Sequence, residues 1–397
     1  MTDRPARQFS DGERRARIAV RHRLCPAAAA DSPDAAARAV VALHATEPAS
    51  VYLSCWARME SVDVGHIDDA LYTGRSIVKQ LAMRRTLFAF PRDLLPAAWA
   101  SASARVAGIE RARIVKGVQA AGLTDDGDDW LRRARSEVIA ALADTPEGRS
   151  AVDIRHAVPR IDVKVPLAAG STSASTAVLT QMGAEADLMR ATNLNQWRAS
   201  RPLWTLTGHW LPDITASGTA AEGYTELVRR WLHRFGPGTL DDLVWWLGST
   251  KSAAREALST LGAVTVTLER DQTGWLLPDD LDVVADPGPW VALLPTLDPT
   301  VMGWKQRDFY LGGYQDRLFD RRGNAGPTAW VDGRVVGCWY QDERNAVRLQ
   351  LLEPVSGHAD RALRAQASRL TAWLDGERIG SSVVVPALGP PAVPEHR

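Results

Sequence analysis

The 397-residue sequence predicts an α+β chain, mainly helical, from two observations. A unit of three helices followed by a strand pair recurs along it, and beyond residue 285 that unit gives way to strands and one long helix. Helix, helix, helix, hairpin is the winged-helix order. The expected architecture is therefore a set of tandem winged-helix modules (helix-turn-helix plus β-wing) over 1–125, 126–218 and 219–285. A C-terminal β-containing module over 286–380 and a Pro-rich tail over 381–397 follow.

The clearest copy spans 222–277. YTELVRRWLHRF has apolar residues at 224, 227, 228, 231, 232 and 235, a helical period, and stops at Gly236-Pro237-Gly238. Thr239 then caps TLDDLVWWLG, where Asp241 and Asp242 favour the helix start. Trp245 and Trp246 sit inside that short helix, so at least one belongs in the core. Ser249 and Thr250 cap KSAAREALSTLG, which Gly262 ends; VTVTLER alternates, DQTG turns, and WLLP returns.

A second copy fits 130–207: WLRRARSEVIAALADT, SAVDIRHAVP and SASTAVLTQMGAEA are its helices, and DLMRATN and PLWTLTG its strands. PRIDVKVPLAAG is inserted between its second and third helices. A third copy fits 35–91, with AAARAVVALHAT and VGHIDDALYTG as helices before the hairpin QLAMRRTLFAFP. Beyond 285, TAWVDGRVVGCWYQ reads as a hairpin turning at Asp332-Gly333, AVRLQLLEP as a strand and GHADRALRAQASRLTAWLDG as a helix.

The formal net charge is zero, yet residues 1–120 carry 18 Lys plus Arg against 12 Asp plus Glu. Residues 121–300 carry 16 against 24. A surface for phosphates thus belongs to the N-terminal part, and three winged-helix copies point to duplex DNA as the partner. Cys25, Cys55 and Cys338 are far apart and fit no zinc spacing. There is no Walker loop, H-E-x-x-H, G-x-S-x-G or dinucleotide fingerprint, so no cofactor and no metal are expected. The charged N-terminus and the lack of an 18-residue apolar run lead us to expect a cytoplasmic, nucleoid-associated protein with no membrane partner.

One segment, Leu43-His44-Ala45-Thr46-Glu47-Pro48, could do chemistry. On a continuing helix His44 and Thr46 would diverge, but Pro48 biases Glu47 away from the helical region. The helix AAARAVVAL is then expected to end here, letting an imidazole and a hydroxyl converge and hold a water. The bland alternative is a histidine stabilised by a helix C-terminus and a threonine capping the turn.

In order and spacing, LHATEPASVYLSCWAR, KQLAMRRTLFAFPRDLLP, RFGPGTLDDLVWWLG, LLPTLDPTVMGWKQR and VDGRVVGCWY resemble the AlkZ-like winged-helix DNA glycosylase family, over roughly residues 13–375. That family uses a polar-apolar-polar catalytic triplet, commonly Gln-x-Gln or Gln-x-Asp, which falls here on His44-Ala45-Thr46. The chain departs from the pattern at both catalytic positions. The resemblance implies a monofunctional, metal-independent enzyme, working as a monomer on duplex DNA with alkylated bases. It would hydrolyse the N-glycosidic bond of N7-guanine adducts, including bulky natural-product ones, in repair or in self-resistance to a genotoxin.

The expected roles are His44 as water-orienting base, Thr46 as its hydrogen-bond partner and Glu47 as electrostatic helper. Lys79, Arg84, Arg85 and Thr86 match the family's DNA-probing hairpin. Asn195, Gln196, Trp197, Arg198 and Arg201 form a polar wing, and Lys305 and Arg307 match a segment that faces DNA. A non-catalytic winged-helix regulator, or a ligand-sequestering resistance protein, is the alternative that the replaced triplet keeps open.

Overall fold

In the computed structural model, residues 5–167, 170–215, 217–383 and 385–388 are described; most of the Pro-rich tail lies outside them. The region 220–276 has the expected order, with helices Ala220–Phe235, Leu240–Leu247 and Lys251–Thr260 and strands Val264–Thr267 and Thr273–Leu276. Thr219 with Glu222 and Thr239 with Asp242 make reciprocal capping boxes at the first two helices. Between those helices Gly238 bridges antiparallel to Trp275.

Residues 127–206 repeat the scheme with helices Gly127–Leu142, Ala151–Ala157 and Ala174–Ala184 and paired strands Leu188–Asn193 and Pro202–Leu206. The equivalent bridge joins Arg149 to Trp204. The insertion forms its own small hairpin, Lys164–Leu167 with Gly170–Ser173.

The first copy departs from expectation at its start. The helix expected over 35–46 runs only from Pro33 to Ala39, and Leu43–His44 is a strand paired antiparallel with Thr86–Pro91. Val40 through Ala45 are all buried, so pairing with a sheet inside the core outweighs the helix propensity of the alanine-rich run. Pro48 does not merely end a helix: it occupies the first turn of a new one, Pro48–Arg58, nearly all of it buried. Val64–Asp68 and a wider helical turn over Asp69–Thr73 follow, then the hairpin Ile77–Ala82 and Thr86–Pro91.

Strands Val291–Leu294, Thr328–Val331, Arg334–Gln341 and Val347–Leu351 make one antiparallel sheet in that order. Its Asp332-Gly333 turn has both residues at positive φ, 47° and 81°, as a tight two-residue hairpin requires. Helix Gly357–Leu374 packs on this sheet. The largest core unites the first and third copies with the C-terminal sheet through Tyr52, Trp231, Trp304 and Trp330. The second copy keeps a separate core around Val138, Val178 and Leu188. Among the described residues no helix is long and apolar enough to cross a membrane.

Candidate catalytic segment and nucleic-acid interface

His44 lies on the short strand opposite Phe88, whose ring meets it edge-on with centroids 5.3 Å apart. Only 5% of the residue is exposed, whereas Thr46 is exposed. His44 ends the strand, and Thr46 lies at a bend two residues on with its N–H turned back toward the His44 ring. The reading of His44 as a helix C-terminal histidine is thereby overturned, since the preceding helix stops at Ala39.

Burial, and then the nearby Arg84 charge, pushes the His44 pKa down to about 3. The ring is neutral at physiological pH. The Thr46 N–H donates to Nδ1 at 3.4 Å, a long bond that favours the tautomer carrying its proton on Nε2. A ring in that state offers a hydrogen-bond donor, and its low pKa makes it a weak base.

Glu47 faces the C-terminal segment: its carboxylate accepts from the Ser382 N–H at 3.1 Å and from the Ser382 hydroxyl. It borders a cavity of about 360 Å³ walled by Leu53, Thr296, Trp339 and Val385. The helix that follows is clamped from below. Ser50 donates to the Thr296 carbonyl at 2.6 Å and Ser54 to Asp298 at 2.7 Å. Arg58 forks onto both Asp298 oxygens at 2.8 Å and also reaches the Thr300 hydroxyl.

Burial would raise the Asp298 pKa, but Arg58 and the hydrogen bonds hold it below the usual carboxylate value. The PTLDPT loop thus positions the segment that carries His44, Thr46 and Glu47. Sequence reading assigned that loop no such role. The only signal was a carboxylate between apolar residues, which in isolation does not reveal its partner.

The expected DNA-contact residues divide by environment. Lys79 is mostly enclosed, donates to the Tyr72 hydroxyl at 2.7 Å, and burial followed by the Arg190 charge pushes its pKa down to about 8. Arg84 and Arg85 form the hairpin tip at positive φ. That tip is seated on Gly248, where a Cβ would come within 2.8 Å of the Arg84 nitrogen. The Arg84 guanidinium lies over Trp245, 3.9 Å from the ring centroid. Arg85 pairs with buried Glu110, while its own side chain is 53% exposed. Thr86 begins the return strand and is partly buried.

In the second copy, Asn195, Gln196 and Arg201 are exposed. The loop carrying them is tied to the rest of the protein: Trp197 packs on Tyr52 and Trp373, and Arg198 pairs with Glu377. Asn193 braces it further by bonding the Asn195 and Ala199 carbonyls and the Arg201 N–H. Lys305 is exposed beside Asp241, whereas Arg307 is 6% exposed and donates to the Trp304 carbonyl. Trp304 itself is core.

The chain is a helical α+β protein with repeated helix-hairpin units, in which a buried clamp fixes the helix that follows the candidate segment. Its residues 37–373 match the family described as DNA glycosylase AlkZ-like, and the chain belongs to that family. Its structure is similar to that of the Streptomyces sahachiroi DNA glycosylase AlkZ, with a TM-score of 0.74 over 92% of this chain and 97% of the other. Identity between the two is 17%, so this likeness concerns the fold. No curated protein matches the chain in sequence.

Proposed function

We propose that the protein hydrolyses the N-glycosidic bond of alkylated bases in duplex DNA, N7-guanine adducts and bulky natural-product adducts among them, without a metal and without strand cleavage. Membership of the AlkZ-like glycosylase family carries the reaction class. The observation that supports the site is His44, a neutral imidazole buried two residues before an exposed threonine, in the segment that we read as the family's catalytic triplet.

Alkylation at N7 makes the purine a cationic leaving group, so the enzyme has chiefly to place a water and stabilise the charge that develops on the sugar. In this reading Nε2–H of His44 donates to the attacking water and the Thr46 hydroxyl accepts from it. The water's proton passes to solvent as the new C1′–O bond forms and the departing base takes the electrons of the broken C–N bond. His44 serves as an orienting donor more than as the general base that the sequence suggested, because its pKa of about 3 leaves it little basicity. Glu47, engaged by Ser382, contributes negative potential near the developing oxocarbenium.

Duplexes bearing N7-methylguanine or a bulky N7 adduct, incubated with the protein and then cleaved at abasic sites, test this directly. Strand breaks at the adduct, lost in His44→Ala with duplex affinity retained, are the expected result; full release by His44→Ala sinks the assignment. The deep burial of His44 favours one competing reading, a DNA-binding protein without catalysis, which predicts no abasic sites with any adduct. We propose repair of alkylated DNA, or self-resistance to a genotoxin, as the setting.

A further inference from the structure

Guanidiniums taken out of water are normally matched by carboxylates, because nothing else in the interior replaces their hydration so well. Arg84 and Arg307 break that pattern together. They come from separate parts of the chain, the first hairpin and the loop after the PTLDPT segment, and both lie over the Trp245 ring, at 3.9 and 5.2 Å from its centroid. Arg84 is held in place by its left-handed backbone, φ 54°, seated against Gly248, and its Nε is buried without a partner. Arg307 is held by the Trp304 carbonyl and by the Phe319 ring at 4.7 Å.

The acidic groups on the neighbouring helix are already engaged. Asp241 meets Lys251 and Lys305, and Asp242 accepts the Thr239, Lys305 and Gln306 N–H groups. Burial first, and then the Arg307 charge, pushes the Arg84 pKa down to about 10. Folding has brought two like charges together and left them without an anion among the described residues.

We propose that Arg84, Arg307 and Trp245 form a receptor for a phosphate group, and that its occupant is a backbone phosphodiester of the strand whose nucleotide lies at His44. Guanidinium forks match phosphate oxygens, and the ring beneath them restricts the side chains, so little order has to be gained on binding. Arg84 stands at the tip of the hairpin whose return strand, Thr86–Pro91, pairs with Leu43–His44, so the receptor and the catalytic segment are carried by one sheet. The receptor is therefore a positioning device and not merely one more contact for a polyanion. The identity of the occupant rests on the glycosylase reading; the existence of an anion site does not.

The experiment uses the full chain. Inorganic phosphate is titrated against chloride at equal ionic strength and followed through the Trp245 signal, taken as the difference between wild type and Trp245→Phe. A saturable change is expected in wild type and at least a tenfold weaker one in Arg84→Gln and Arg307→Gln. Arg84→Lys, which keeps the charge and loses the fork, covers the case in which the glutamine variant does not fold, and should also bind phosphate more weakly.

With the N7-methylguanine duplex and protein in excess, the single-turnover rate of Arg84→Gln should fall at least tenfold even at saturation. Phosphate binding unchanged by all three substitutions overturns the receptor. A normal saturated rate with weakened affinity overturns the positioning role. Arginine-dependent phosphate binding in a protein that releases no base from any adduct leaves the receptor standing and removes the glycosylase reading instead.

Discussion

Arg58 and Arg84 are both largely removed from solvent, and they are solved in opposite ways. Arg58 is locked to Asp298, with both side chains fully buried and further bonds from Ser54 and Thr300. Arg84 lies on an aromatic face with no carboxylate partner among the described residues. The Arg58 charge is satisfied inside the protein, whereas in the receptor that we propose the Arg84 charge is completed by a ligand. The first lies under the candidate catalytic segment, and the second tips the hairpin whose return strand pairs with it.

The sharpest way to break this comparison is to remove Arg58. Arg58→Met leaves Asp298 buried and uncompensated and should cost about 3–5 kcal/mol in urea unfolding, much of it recovered in the Arg58→Met, Asp298→Leu double variant. A single variant as stable as wild type would mean that the clamp holds nothing.

Next in size is the site above the clamp. His44→Ala should lower base release on the order of a hundredfold with little change in duplex Kd. Because the His44 pKa is about 3, the wild-type rate should also stay flat between pH 5 and 8. A limb centred near pH 6.5 would return His44 to the role of a titrating base.

A smaller effect concerns stability and pH. His22 is fully buried, and burial, then the Arg58 charge, holds its pKa well below 6.5; His44 is held down as well. Both rings stay neutral when folded but take up a proton below about pH 6.5 when unfolded. Stability should therefore fall as pH drops through that value, by up to about 1.4 kcal/mol per pH unit for each ring. Urea midpoints measured from pH 8 to 5 check the sign, and His22→Asn should flatten part of the slope.

The smallest change in stability is expected at Arg84. Arg84→Met keeps the packing on Trp245 and removes an unpaired charge, so unfolding should shift by less than about 1 kcal/mol while the salt slope of DNA binding falls by about 1. A loss as large as that of Arg58→Met would make Arg84 structural and erase the contrast.

What could be read from sequence follows the range of the forces. In the third copy the capping residues Thr239 and Thr250 and the expected helix ends agree with the structure, because caps and turns act within a few residues. In the first copy the alanine-rich run reads as a helix, yet Leu43 pairs with Ala89, a partner too distant for any local pattern to reveal. His44, Thr46 and Glu47 could be singled out because they stand within the four residues before Pro48. Their clamp could not, since Arg58 and Asp298 lie 240 residues apart.

The arginines show the same division. Their type and their hairpin were visible in the sequence, but Arg85 turned out to face Glu110, Arg198 to face Glu377, and Arg84 and Arg307 to share Trp245. Sequence by itself determined the helices of the second and third copies, the caps of the third and the repeated order. These depend on hydrogen bonds and apolar periodicity within one turn or one hairpin. Tertiary structure alone decided which charges are neutralised and which are left waiting, because desolvation and pairing depend on what distant segments bring to the same few ångströms.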